Sequence, residues 1–137
     1  RQYGFKATLF VITGVVDQEP YVTWDMIAEI DRSGLVEIGS HTVSHNQLPS
    51  LGEAQVRAEA VDSKQVLEAH LGHPVRAFCY PVGRVDARSV AAVRDAGYEI
   101  AVTTQGGRAT AEQDSLLLPR VRIHGGASME QFMELLS

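Results

Sequence analysis

Short apolar runs alternate with helix-length amphipathic segments along almost the whole chain, and that alternation limits the fold more than any other feature. Ala7-Thr8-Leu9-Phe10-Val11-Ile12-Thr13 is β-branched and apolar, ends at Gly14, and reads as a strand buried on both faces. Thr23 then caps a helix to about Ser33, with Met26, Ile27 and Ile30 on one side and Gly34 as the stop. Leu35-Val36-Glu37-Ile38 is a second strand, running into Gly39-Ser40-His41. Ser50 and Glu53 have capping-box spacing and open the longest helix, to about His70, whose seam includes Val56, Ala60, Leu67 and Leu71. Ala77-Phe78-Cys79-Tyr80 is a third strand stopped by Pro81 and Gly83, and Asp86 caps a helix through Ala96. Residues 98–103 and 118–123 read as the fourth and fifth strands, and Ser128 caps a last helix through Leu136.

Alternation of this kind gives parallel strands joined by helical crossovers, hence an α/β fold. Polar residues gather just past the strand ends, at His41, Tyr80-Pro81, Thr103-Thr104 and His124, the edge where such sheets bind ligands. Five strands are too few to close a barrel, so the expectation is an incomplete, distorted (β/α) barrel with mostly parallel strands, as one domain over 1–137.

Composition narrows the function. The formal charge of −5 comes without a basic stripe, which argues against a nucleic-acid partner. No apolar run approaches the roughly 20 residues of a membrane span, and the opening residues carry no signal-peptide pattern. Cys79 is the single cysteine, which excludes an internal disulfide and a cysteine-rich zinc site, and it reads as a small buried hydrophobe.

His41-Thr42-Val43-Ser44-His45 is the strongest chemical signal. Two histidines four residues apart can share one face of a helical turn and offer nitrogens to a common metal, each keeping its other ring nitrogen for an orienting acceptor. The other reading is a pair of solvent-facing loop histidines. His70 and His73, near a helix C-terminus, suit that end of the helix dipole and read as structural. Trp24 and the tyrosines read as core or helix-face residues.

The run from Glu37 to His45 resembles the second motif of the polysaccharide deacetylases, the NodB-homology carbohydrate esterases. Tyr3 to Phe10 is similar to that family's second strand, Phe78 to Arg84 stands where its third motif belongs, and Ala96-Gly97-Tyr98 with Ala101 to Thr104 resembles the fourth region. Leu118-Pro119-Arg120-Val121-Arg122-Ile123-His124 resembles the fifth. The resemblance implies a divalent metal, usually zinc in such enzymes, with His41 and His45 as two ligands. It implies part of an oxyanion hole at the Val82 N–H, substrate contacts near Tyr80 and Arg84, and His124 as general acid.

There are departures. The family's Asp-Asp pair, which supplies the third ligand and the general base, lies upstream of anything corresponding to Arg1, and this sequence has no adjacent Asp-Asp. The usual third-motif arginine falls at Cys79, with Arg84 as a partial substitute, and Arg122 stands where a leucine is usual. The fourth region lacks the family's Asp and Trp, which leans toward the branch acting on poly-N-acetylglucosamine rather than on chitin. The implied activity is metal-dependent removal of N-acetyl groups from N-acetylglucosamine-containing polysaccharide, in an extracellular or cell-envelope setting, with this stretch alone expected to be inactive. Two rivals stand beside it: a non-catalytic carbohydrate-binding or scaffolding module of the same fold, and a hydrolase of small amides or imides.

Overall fold

A computed structural model describes residues 4–136; Tyr3 of the second-strand resemblance lies outside the described residues. Four strands, β1 (Ala7–Val11), β2 (Val36–Ser40), β3 (Ala77–Cys79) and β4 (Ile100–Val102), form one sheet in the order β1-β2-β3-β4. Every pairing is parallel, with Leu9 opposite Ile38, Ser40 opposite Phe78 and Phe78 opposite Ala101. Helices α1 (Trp24–Arg32), α2 (Glu53–Leu71) and α3 (Ala87–Asp95) are the crossovers, and α4 (Met129–Leu136) follows the sheet. The expected incomplete parallel α/β architecture is the one found.

The helix ends follow from side-chain chemistry. Thr23 Oγ1 accepts from the Met26 amide at 3.2 Å, and Asp86 Oδ1 accepts from the Ser89 amide at 2.8 Å, each relieving an orphan N–H of a first turn. Ser128 does the same for Gln131 at 3.1 Å. The cap of α2 is not at Ser50. Leu48–Ser50 is a short 3-10 turn in which Ser50 Oγ donates to the Gln47 carbonyl, so Gly52 takes the N-cap and its amide donates to Gln55 Oε1 at 3.2 Å. Gly72 closes α2 at φ 76°, a left-handed conformation that costs glycine little.

The core lies between the sheet and the helices: Val11, Ile38, Phe78, Tyr80 and Ala101 from the sheet side meet Ile27, Val56, Ala60, Leu67 and Val93. Met26, expected inside, is exposed, while Ile27 is fully buried one position on. The α2 seam also buries Ser63, whose hydroxyl accepts from Ser40 at 2.8 Å and donates to the Glu59 carbonyl at 2.7 Å, so a polar residue crosses an apolar stripe without an unmet bond.

Two strand expectations need correction. β1 is an edge strand, with Ala7 and Thr8 exposed, Leu9 and Phe10 half-buried and only Val11 buried. Residues 118–123 are not a strand: Leu118 makes one isolated parallel bridge to Val102, and the ladder stops there. Pro119 has no N–H to donate, and the Arg120 amide turns to the Gln105 carbonyl at 2.9 Å.

Tyr80 is wholly buried against Phe78, ring centroids 5.2 Å apart, and its hydroxyl has no hydrogen-bond partner among the described residues. Burial pushes its pKa well up; the Asp114 charge adds to this and Arg94 opposes it. A buried unpaired hydroxyl is a cost, so Tyr80→Phe is expected to raise the unfolding free energy by about 1 kcal/mol. Urea titration checks this; a lower midpoint for the variant would show that the hydroxyl is satisfied.

Candidate metal and deacetylation site

The two histidines do converge, but not on a helical turn. His41 follows β2 directly, and its amide continues the ladder to the Val11 carbonyl at 2.8 Å. The chain then bends through Thr42 at φ 69° and returns through His45 at φ 60°. Positive φ is costly for any residue with a Cβ, and unusual for a β-branched threonine. The surroundings hold the bend in place. The Thr13 and Gly14 amides donate to the Thr42 and Val43 carbonyls at 3.1 and 2.8 Å, and the His45 amide donates to Thr42 Oγ1 at 2.9 Å. Gly14 is needed for that approach, because a Cβ there would stand 2.5 Å from the Val43 carbonyl oxygen.

The resulting ring centroids are 4.7 Å apart in an edge-on arrangement. His41 Nδ1 lies 2.6 Å from the Cys79 carbonyl oxygen. A carbonyl can only accept, so Nδ1 carries the proton, and a neutral ring then leaves its lone pair on Nε2. That is the orientation and tautomer required of a metal ligand. Burial, the largest influence, holds the His41 pKa below its ordinary value; the Cys79 hydrogen bond opposes this, and the His45 and Arg120 charges add to the lowering. The ring is therefore kept neutral and ready to ligate. The donor pair fits a divalent transition metal, and His41 and His45 would hold it. Among the described residues no group of three or more His, Cys, Asp or Glu side chains gathers around a common point.

Glu59 is a site residue that sequence reasoning missed. From α2 it reaches the histidine turn, where Oε2 accepts from the Val43 and Ser44 amides at 2.8 and 3.0 Å and Oε1 accepts from the Ser44 hydroxyl. Its position beside Ala60, on the edge of the α2 seam, was the only available signal. Glu59→Ala should release the turn and weaken zinc binding about 10–100-fold, the usual size of an effect exerted through an orienting neighbour. Zinc titration calorimetry reads it, with circular dichroism confirming an unchanged fold; wild-type affinity would refute the positioning role.

Just past β3, Pro81–Gly83 forms a 3-10 turn in which Val82 sits at φ 56° with an exposed side chain. Thr104 fixes the turn by donating to the Val82 carbonyl at 3.1 Å. Gly83 packs so closely there that a Cβ would lie 2.4 Å from the Thr104 backbone nitrogen. Tyr80 cannot touch substrate with its side chain, because that side chain is in the core; burial has overruled this expectation. Arg84 is exposed just past the turn, and the positive charge that bears on the Cys79 thiol is that of Arg120. Arg120 Nε donates to the Thr103 carbonyl at 2.6 Å, which fixes the group beside the end of β4. Burial raises the Cys79 thiol pKa and Arg120 opposes this, so the thiol is packing rather than a nucleophile. His124 is exposed and lines a cavity of about 500 Å³ with Gln131, Glu134 and Leu135, a lining that includes neither His41 nor His45.

Comparison with known proteins gives one consistent family. A family model described as polysaccharide deacetylase matches residues 1–101. The chain is 33% identical over 132 residues to YxkH of Bacillus subtilis, covering 96% of this chain and 47% of that protein. It is 26% identical to the poly-beta-1,6-N-acetyl-D-glucosamine N-deacetylase of Escherichia coli K12, covering 88% of this chain and 22% of that protein. Among solved structures, the Streptococcus pyogenes deacetylase PplD in complex with acetate superposes with a TM-score of 0.92 at 30% identity, covering 99% of this chain and 61% of that one. A polysaccharide deacetylase from Bacillus cereus gives 0.89 at 34% identity, over 97% and 42% of the two chains. The chain thus spans about half the length or less of the curated relatives it matches. With the family model covering most of its length and the histidine motif placed at the sheet edge, the chain belongs to the polysaccharide deacetylase family.

Proposed function

We propose that the protein carrying this chain is a metal-dependent hydrolase that removes N-acetyl groups from N-acetylglucosamine-containing polysaccharide, acting outside the cell or in its envelope. The observation that carries this reading is the histidine pair, with His41 locked by the Cys79 carbonyl in the tautomer that leaves Nε2 free. Zinc, when bound, would polarise the acetyl carbonyl and lower the pKa of water to about 7. His41 and His45 would hold that ion. The Val82 N–H, in the turn after β3, is one donor toward the developing oxyanion. His124 supplies the proton that lets the amine leave. The third ligand and the general base are assigned to none of the scattered aspartates of this chain.

The test is acetate release from N-acetylglucosamine oligomers by the full-length protein before and after chelation. Activity that vanishes with chelator and returns with zinc is the expected result. Full activity in metal-free protein would remove the metal from the reading, and binding of glycan without turnover would favour the non-catalytic module.

A further inference from the structure

A cavity of about 340 Å³ is lined by Thr104, Arg120, Val121 and Arg122. Its lining contains two guanidiniums and no acidic side chain, in a chain whose formal charge is −5. Neither arginine takes part in an ion pair among the described residues. The cavity touches the site at two points. Thr104 Oγ1 donates to the Val82 carbonyl at 3.1 Å, and the Arg120 charge is felt both at Cys79, the residue whose carbonyl holds His41 at 2.6 Å, and at His41 itself. Arg120 is not a free surface group: its Nε is spent on the Thr103 carbonyl, which fixes the plane of the guanidinium. Arg122 is exposed.

Two like charges in one cavity repel, and an anion between them relieves the repulsion. The planar guanidinium fork matches a carboxylate with two parallel hydrogen bonds. A neutral sugar gains nothing from such a pair, and a sugar already bearing a free ammonium is repelled by it.

We propose that this cavity is a subsite for a carboxylate carried by a sugar next to the acetamido sugar held at the histidine pair. The substrate is then an acidic N-acetylated polysaccharide rather than a neutral homopolymer. This inference rests on the glycan reading given under Proposed function and specifies its substrate class. Arg120 supplies the fixed half of the subsite, and Arg122, on a more exposed stretch, closes on the ligand.

Binding, not turnover, separates this inference from the activity. The full-length protein is titrated calorimetrically with oligosaccharides of alternating N-acetylglucosamine and glucuronate, with carboxyls either free or methyl-esterified. The free acid is expected to bind about tenfold tighter or more, the worth of a charge-assisted pair, and the advantage should shrink with added salt. Arg122→Gln should bind both forms with the affinity of the ester while keeping the wild-type zinc content. Equal binding of the two forms by the wild-type protein overturns the subsite and leaves the deacetylase reading standing. So does a preference that survives in Arg122→Gln, a variant chosen because its exposed position makes folding safe. Sodium acetate titrated alone is the control for the free product: acetate binding lost in Arg122→Gln, with no discrimination between the glycans, also overturns the proposal. Failure of both glycan forms to bind overturns it together with the glycan reading.

Discussion

Replacing His41 and His45 together with alanine in the full-length protein is expected to abolish stoichiometric zinc binding and acetate release in one step. Each imidazole is a direct ligand in the proposed site, so either single variant should weaken zinc by more than the 10–100-fold typical of outer contacts. His41 should matter more. Its Nδ1 is anchored 2.6 Å from a main-chain oxygen and its ring is partly buried, whereas His45 is exposed and held mainly through its backbone. Proton competition gives a second signature. A ligand must give up its proton, so zinc affinity should fall as pH drops below about 6.5. His41, its pKa lowered chiefly by burial, should resist that fall longer than an ordinary histidine. The sign for the metal-free fold is the same: the unfolded chain takes up a proton here before the folded one does. The stability contribution is thus full above about 6.5 and is lost as pH falls through the lowered folded value. Full zinc occupancy in the double variant would rule the site out.

The second large effect is expected at His124. If it delivers the proton to the leaving amine, His124→Ala should lower turnover of N-acetylglucosamine oligomers by about 10²–10⁴-fold while zinc content stays at the wild-type level. The limb of the pH–rate profile that requires a protonated histidine should vanish or move with it. The histidine lies on an irregular stretch rather than at a strand end, and the cavity it lines includes neither metal histidine. For that reason the kinetic split is the decisive measurement. Unchanged turnover in the variant would transfer the proton to another donor.

Local chemistry made much of this molecule readable from its residues. Thr23, Asp86 and Ser128 cap the helices they were expected to cap, because a short side-chain oxygen before an amphipathic run has few better uses. The parallel order of the sheet followed from alternation alone. What failed depended on neighbours distant in sequence. Pro119 to Ile123 has strand-like residues, but the proline lacks a donor and Arg120 finds its partner at Gln105, which no local pattern encodes. Ser50 has the right spacing for a capping box, yet the preceding 3-10 turn uses it first. Tyr80 lies within a motif and was read as facing substrate, although strand parity could equally have pointed it inward, where it is found. At the site, the histidines could be named from spacing, whereas Glu59 and Arg120 could not. Their roles arise from a helix and a loop brought to the same edge, 14 residues after His45 in one case and 75 in the other.

The left-handed turn at Thr42 and His45 bears on whether the motif is portable. Transplanted into a helix, the same five residues would relax to right-handed backbone, and the two imidazoles would leave along a different pair of vectors. Here the geometry is borrowed: amides of Thr13 and Gly14, the carbonyl of Cys79 and the carboxylate of Glu59 belong to three other places in the chain. A protein engineer who copies the pentapeptide alone copies the ligands without their aim. The smallest transferable unit is β1 with the turn after it, β2 with its histidine bend, the second turn of α2 and the end of β3.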